Sequence, residues 1–522
     1  MPIDINLFRK EKGGDPEIVR KSELQRCRDG AIVDEIIGLD ENWRKLTHEV
    51  NLLKKEKNAI SKTFGKLKKE GNDEGLEEAK KSAIEKTAEI EAKEQEKKEA
   101  EALLNKRLNE VGNILDETVP QEADEEKNPV ERTWGEIREI EINETPGRMN
   151  HHHLMKCLDM YDPERGSKVM GSRGYFLKGF GVLLNQALIN YAITFLMERK
   201  YNVLQPPYFI KQEVMEKTCE IGDFEENLYQ IENNEAYLIA TSEQPISAMH
   251  SGEWLQPSEL PLRYCGYSSC FRKEAGSSGR DVWGIFRVHQ FDKIEQFVVC
   301  KPEESNAFLE EMITCAEEFW QSLEIPYRVV TIVGGALNNA AAKKYDLEGW
   351  FPGYGEYREL VSCSNCTDYQ SRALDVKFGT KKKGDKGDKN LTHMLNATLC
   401  ATGRAMCAIV ENYQTEDGIR IPTVLQPFLG GRDFIPYDEK ALKKFMDEVE
   451  KERAKKNKGT HSKKGEGKKP KAKEEHKQEV TKEEEAAKKQ EVDPAKVPEE
   501  AKQAEGAAAG APKAADAPEG DS

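Results

Sequence analysis

Between residues 39 and 67 apolar side chains recur in alternating steps of four and three: Leu39, Trp43, Leu46, Val50, Leu53, Ile60, Phe64 and Leu67, with Lys57 the one polar break. A seven-residue repeat of this kind keeps one stripe of a helix against another helix. The string Gly71-Asn72-Asp73-Glu74-Gly75 reads as a turn. Residues 76–115 read as a second helix, with a seam that is clear at Leu104, Leu108, Val111 and Leu115 but thin between Ile90 and Glu101. The pattern predicts an antiparallel helical hairpin, each arm reaching about 45 Å or more at roughly 1.5 Å per residue. Val119-Pro120 and the acidic residues 122–127 read as a linker. From there to about Pro436 amphipathic stretches alternate with short Val-, Ile- and Tyr-rich runs and glycine-rich turns, the pattern of a globular domain.

Beyond that point the apolar pattern stops. Residues 441–473 hold 13 Lys and Arg against 5 Asp and Glu, and 474–522 hold 7 against 14, so charge dominates and no core can form. Three parts are expected: a hairpin region over 1–118 with its arms at about 39–115, a globular domain over 119–438, and a low-complexity tail over 439–522. Truncation after Lys440 is expected to leave function intact.

Charge changes this picture little. The net charge of −16 argues against a general polyanion binder, but local basic patches can act against the total. Lys62, Lys66, Lys68, Lys69, Lys80 and Lys81 gather near the hairpin turn, where they could meet phosphates or form a solvated face. No run of eighteen apolar residues is present, which argues against a membrane span. The scattered cysteines, 11 in 522 residues, fit reduced thiols and a cytoplasmic protein.

The chemistry sits in the globular part. P-loop and dinucleotide-binding glycine signatures are missing. Instead Phe271-Arg272-Lys273-Glu274 leads through a glycine-rich loop to Phe286-Arg287-Val288-His289-Gln290-Phe291, reading as strand, loop, strand. Further on, Leu395-Asn396-Ala397-Thr398 leads through Gly403-Arg404 into an apolar helix. The first string resembles motif 2 of the class II aminoacyl-tRNA synthetases and Gly403-Arg404 resembles motif 3. The helix through residues 191–199 and the stretch to Tyr208, with Pro207, resemble motif 1. Thr241-Ser242-Glu243-Gln244-Pro245, Gly171-Ser172-Arg173-Gly174-Tyr175-Phe176 and Phe291-Asp292-Lys293-Ile294-Glu295-Gln296-Phe297 narrow the likeness to the seryl-tRNA synthetases of eukaryotic cytoplasmic type.

That resemblance, which covers residues 1 to about 436, implies an α+β fold: a mainly antiparallel sheet flanked by helices with an N-terminal coiled-coil arm, to which the composition adds a disordered C-terminal tail. It implies a homodimer that joins ATP and L-serine into seryl-adenylate and esterifies tRNA(Ser), and it leaves selenocysteine tRNA open as a second acceptor. Arg272 and Arg404 would be the catalytic cations, on the α- and γ-phosphates. Glu274 would receive the adenine amino group, Phe291 would stack on the ring, and Val288, Glu359, Leu360, Val361 and Ser362 would complete the ATP site. Glu359 and Ser362 would ligate Mg²⁺ carried in with ATP. Thr241, Glu243, Glu295, Asn396 and Thr398 would surround serine. The arm lysines, with Arg280 and Trp283, would touch tRNA. The family usually shows Thr-Arg where this chain has Val282-Trp283, and Trp283 is expected to stack on an unpaired base instead.

The chemistry supports these roles, because charge builds on phosphate oxygens as the adenylate forms and an Arg fork can hold two of them. The alternative is a catalytically inactive paralogue that only binds tRNA; an intact ATP cradle speaks against it. His151-His152-His153 reads as a surface strand end rather than a metal tract. Cys363-Ser364-Asn365-Cys366 lacks a second cysteine pair, so no zinc is expected.

Overall fold

The computed structural model describes residues 3–219, 227–274, 279–379 and 390–461. Residues 1–451 form one compact unit and 452–522 a second, of which the structure describes only the first ten residues, a helical continuation.

Helix α1 (Pro16–Gln25) starts behind an Asp15 cap with proline in its first turn. Helices α2 (Ile32–Glu70) and α3 (Asp73–Glu110) are the expected hairpin, with 39 and 38 residues. Every seam position from Leu39 to Leu67 is buried or half-buried, Lys57 included. The thin part of the second seam is filled by the half-buried stems of Lys93 and Lys97, whose charged ends reach Glu49 at 3.4 Å and the Trp43 ring at 5.8 Å. The turn is shorter than expected. Gly71 takes the left-handed conformation that ends α2, and Asn72 caps α3 by accepting from the Gly75 amide. The helix also stops at Glu110, before Leu115. Leu115 and Val119 pack instead with Val330, Ile332, Leu337 and Ala341, so the linker is a docked segment.

An eight-stranded sheet organises the rest. In chain order its strands are β1 (Val130–Trp134), β2 (Asn202–Leu204), β3 (Leu262–Phe271), β4 (Gln290–Cys300), β5 (Tyr327–Thr331), β6 (Lys343–Phe351), β7 (Glu356–Asn365) and β8 (His393–Ala401). Their spatial order is β1-β5-β6-β7-β8-β4-β3-β2, antiparallel throughout except for the β2–β3 pair. Helix α4 (His151–Cys157) precedes the sheet's central strands, and α5 (Phe180–Glu198) and α6 (Glu243–Ala248) flank it. Helix α7 (Ser305–Ser322) packs on β7 and β8, burying Phe308, Met312, Phe319 and Trp320 in the main core. The other face of these strands carries the cleft described below.

Helix α5 is long and apolar enough on average to cross a membrane, but Asn185, Gln186 and Asn190 interrupt it, half of it is buried, and Leu184, Leu188, Ala192 and Leu196 lie in the core. One expectation needs correction. The low-complexity tail does not begin at residue 439. After α8 (Tyr369–Leu374) and α9 (Thr402–Asn412) comes α10 (Glu439–His461), and its Phe445 and Val449 are buried in the main core with Leu442 and Met446 beside them. Four apolar residues at helical spacing anchor this stretch, and the average charge of the segment hides them.

Candidate active site

Two β-bulges set the cleft. On β8 the register against β4 shifts so that Glu295 faces Thr398 and Leu399 becomes the extra residue. On β7 the register against β6 shifts so that Glu359 faces Glu348 and Leu360 is extra. Strict alternation would separate Glu359 from Ser362. With the bulge, Leu360 and Val361 are both buried in the core and Glu359 and Ser362 share the open side.

One cleft brings together Arg272, Glu274, Val288, Phe291, Glu359 and Arg404, with Leu360 and Thr398 also in its wall. Val361 lies below, in the core. Arg272 follows β3; its Nε donates to the Ala240 carbonyl at 3.4 Å and its guanidinium lies 5.4 Å from the Phe291 ring. Arg404 stands in the first turn of α9, lies 4.8 Å from the Phe286 ring, and donates to the Glu359 carbonyl at 2.9 Å and its carboxylate at 3.3 Å. Glu274 accepts from Arg287 Nε at 2.7 Å, with Arg173 at 3.9 Å. Burial would raise Glu359, but Arg404, Lys344 and Arg272 outweigh it and pull its carboxyl down to about 2. Across the strand pair from Ser362 lies Asp346. Burial and the Glu359 charge push Asp346 up to about 7 although Lys344 opposes them.

The second half of the site adjoins the first at Lys293, which lines the cleft and pairs with Glu295 at 2.7 Å. Glu295 is almost fully buried, and its oxygens also accept from the Thr241 hydroxyl at 2.7 and 2.9 Å, the Ser242 amide at 2.8 Å and the Ser242 hydroxyl at 2.5 Å. Burial alone would raise this carboxyl; the Lys293 charge and the hydroxyl donors hold it below the usual range. Gly266 sits opposite Glu295 on β3, where a Cβ would come within 2.5 Å of the Ser242 hydroxyl, so only glycine lets Ser242 reach the carboxylate. Glu243 accepts at Oε1 from Gln370 at 2.7 Å and Asn396 at 2.9 Å. Burial and the nearby Glu295 charge push it up to about 7.

The remaining expected residues lie elsewhere. Lys62, Lys66, Lys69, Lys80 and Lys81 are exposed near the tip of the hairpin, Lys80 bound to Glu77; the side chain of Lys68 lies outside the described residues. Arg280 stacks on Tyr354 at 5.4 Å and pairs with Glu356 at 3.6 Å. Trp283 is 46% exposed, with its ring 5.1 Å from that of His152. The three histidines are not a surface strand end. They open α4, and buried His151 lies between Glu411 at 2.7 Å and the Trp283 carbonyl at 3.2 Å. Its partner Glu411 comes from α9, a contact no local pattern could announce. Cys363 and Cys366 are buried, and Cys366 Sγ accepts from Asn396 at 3.5 Å. The structure adds Lys293, Ser242, Gly266, Gln370 and Asp346 to the site; the first two stand inside the motif strings, which is a signal, and no local pattern marks the other three.

Residues 3–115 match the seryl-tRNA synthetase N-terminal domain, and 224–413 match the class II tRNA synthetase core domain (G, H, P, S and T). The chain is 51% identical over 448 residues to the cytoplasmic serine–tRNA ligase of Arabidopsis thaliana, covering 84% of this chain and 97% of that one. It is 49% identical to that of Saccharomyces cerevisiae, covering 83% and 96%. Among solved structures it resembles cytoplasmic serine–tRNA ligase from Naegleria fowleri in complex with AMP, at 48% identity and a TM-score of 0.72, covering 84% of this chain and 99% of that one. It also resembles seryl-tRNA synthetase from Pyrococcus horikoshii complexed with ATP, at 40% identity and a TM-score of 0.74, covering 84% and 100%. With relatives this similar over nearly their whole length, the chain belongs to the seryl-tRNA synthetase family.

Proposed function

We propose that this protein is a cytoplasmic serine–tRNA ligase whose two-part cleft forms seryl-adenylate and passes the seryl group to tRNA(Ser). The observation that carries the reading is the junction at Lys293: a row of fixed cations suited to triphosphate adjoins a pair of carboxylates, Glu295 buried and Glu243 half-buried, suited to a small ammonium. In the first step the serine carboxylate attacks the α-phosphorus and the bond to pyrophosphate breaks. Arg272 would meet the charge that builds on the α-phosphate and Arg404 that on the γ-phosphate, both preset by their contacts with Ala240 and Glu359. Glu274, steadied by Arg287, would accept from the adenine amino group, with Phe291 against the ring. In the second step a ribose hydroxyl of the tRNA end attacks the mixed anhydride and AMP leaves.

Glu243 and Glu295 would receive the ammonium and hydroxyl of serine, with Thr241, Asn396 and Thr398 around them. Two carboxylates balanced by Lys293 and the incoming ammonium leave no net charge in a buried place. Alanine would strand the desolvated acceptor that serine satisfies, and this kind of mismatch separates substrates by roughly 10⁴–10⁵. Magnesium fits the far end. Glu359 and Ser362 offer hard oxygens there, and Asp346 lies across the strand pair from Ser362 with Lys344 Nζ 3.3 Å from its Oδ1. The ion would neutralise phosphate charge there. The exposed apolar residues Val182, Leu183 and Met197 of α5 would close against a second copy, as a homodimer requires. The arm lysines would hold the tRNA, and Trp283 would stack on its unpaired end. Serine-dependent ATP–pyrophosphate exchange, followed by charging of unfractionated tRNA, tests the reading. Exchange with another amino acid, or none, would defeat it.

A further inference from the structure

The N-terminal region meets the sheet through a buried polar junction that runs to the serine end of the cleft. The Arg26 guanidinium, 1% exposed, donates to the carbonyls of Asn113 at 3.0 Å, Leu337 at 3.3 Å, Asn338 at 2.9 Å and Ala341 at 2.7 Å. Asn113 lies just past α3 and is itself 6% exposed. Its side-chain amide is shared among the Ala340 carbonyl, the Cys366 carbonyl and the Thr367 hydroxyl, each at 2.9 Å. Its backbone amide donates to the Asn339 carbonyl at 2.7 Å, and its Oδ1 accepts from Ile114 at 2.9 Å.

The Cys366 carbonyl also accepts from the amide of Tyr369, the first residue of α8, at 3.1 Å. The next residue, Gln370, is 1% exposed and donates to Glu243. Cys366 Sγ meanwhile accepts from Asn396, the other donor to Glu243. A second contact reaches the same helix from the N-terminal region, Asp4 to Arg372 at 3.6 Å.

We propose that Asn113 is a positioning residue of the amino-acid site. It holds the Cys366–Thr367 turn at the height from which α8 presents Gln370, and β8 presents Asn396, to Glu243. Truncating its side chain to a methyl group removes the donor that the Ala340 carbonyl, the Cys366 carbonyl and the Thr367 hydroxyl share, and the turn must move to find others. The inference rests on the serine-site reading above, because Glu243 matters to serine only if serine binds there.

The test is pyrophosphate exchange by the full-length protein without tRNA. In Asn113→Ala the KM for serine should rise about fivefold or more, the scale of a lost hydrogen bond, while the KM for ATP stays put. Arg28→Ala removes a neighbouring bond to Asn339 Oδ1 at 2.6 Å but does not touch the turn, so it should lower Tm and leave the serine KM alone. Should Asn113→Ala fail to fold, Thr367→Val removes one of its acceptors and should produce the same split. A folded variant with lower Tm and unchanged serine KM would reduce Asn113 to a structural clamp and overturn the proposal. Glu243→Gln separates the two ideas. A raised serine KM there, with none in Asn113→Ala, overturns only this inference; unchanged values in both overturn the serine-site reading with it.

Discussion

Glu243, half-buried, and Glu295, buried, are neighbouring carboxylates, and Lys293 pairs directly with only the second. Glu295 therefore stays ionised while Glu243 is pushed up to about 7 by burial and by Glu295 itself. Serine arrives as an ammonium and favours the ionised form, so below pH 7 its binding must release a proton from Glu243. The serine KM should fall as pH rises through about 7 and level off above it, with a slope of at most about tenfold per pH unit on the acid side. Glu243→Gln should flatten that profile whatever it does to the absolute KM, and a flat profile in the unaltered protein would contradict the proton count. Arg272 makes a different demand. Its guanidinium is aimed by the Ala240 carbonyl and the Phe291 ring, and an ammonium cannot copy a planar fork. Arg272→Lys should slow exchange by about 10²-fold or more, the scale of losing one preorganised stabiliser. Near-normal exchange would remove Arg272 from its proposed place on the α-phosphate.

At the scale of elements, the heptad seam of α2 could be read residue by residue, because a helix pair buries the same stripe along its whole length. Arg272, Glu274, Phe291, Glu359 and Arg404 could be placed in one cleft because each stood in a recognisable string. The bulges at Leu360 and Leu399 could not be read, since nothing in an alternating pattern marks where the alternation slips. Lys293 could have been found from its place two residues before Glu295, a spacing that puts both on one side of a strand. Asn113 and His151 have partners more than two hundred residues away, beyond the reach of any local signal. The arm's base, unlike its tip, is part of the fold: Leu104, Leu108 and Val111 pack with Ile3, Phe8, Val19 and Ile36. Deleting the whole of residues 39–115 would therefore tear the N-terminal cluster open. Replacing residues 53–89 by a short glycine–serine turn keeps Val50, Ile90 and the base. That variant should perform serine-dependent exchange normally and fail to charge tRNA. Normal charging would move the tRNA contact off the arm.

At the scale of the whole molecule, the question is where the folded body ends. Charge counts put the boundary near residue 439, but Phe445 and Val449 are buried in the main core, and the Phe445 ring lies 4.8 Å from that of His153. His153 lies against His152 at 4.0 Å, and His152 against Trp283, so α10 supports a row of rings that ends at the motif 2 loop. Burial pushes His152 down to about 2 and His153 down to about 4, so both stay neutral at physiological pH and pack as apolar rings. Burying a Phe or Val side chain stabilises by about 1.5–3 kcal/mol each. Truncation after Lys440 should therefore lower Tm by upward of about 5 °C. It should also raise the KM for tRNA more than that for serine or ATP, because the ring row ends at Trp283 and not in the cleft. Truncation after Lys451 keeps both anchors and should preserve Tm. If the later truncation nevertheless weakens tRNA charging at low salt, and the defect shrinks as salt is raised, the lysines beyond residue 451 are phosphate contacts. Equal Tm values for the two truncations would show that α10 adds nothing to the core and that the body ends where the charge pattern put it.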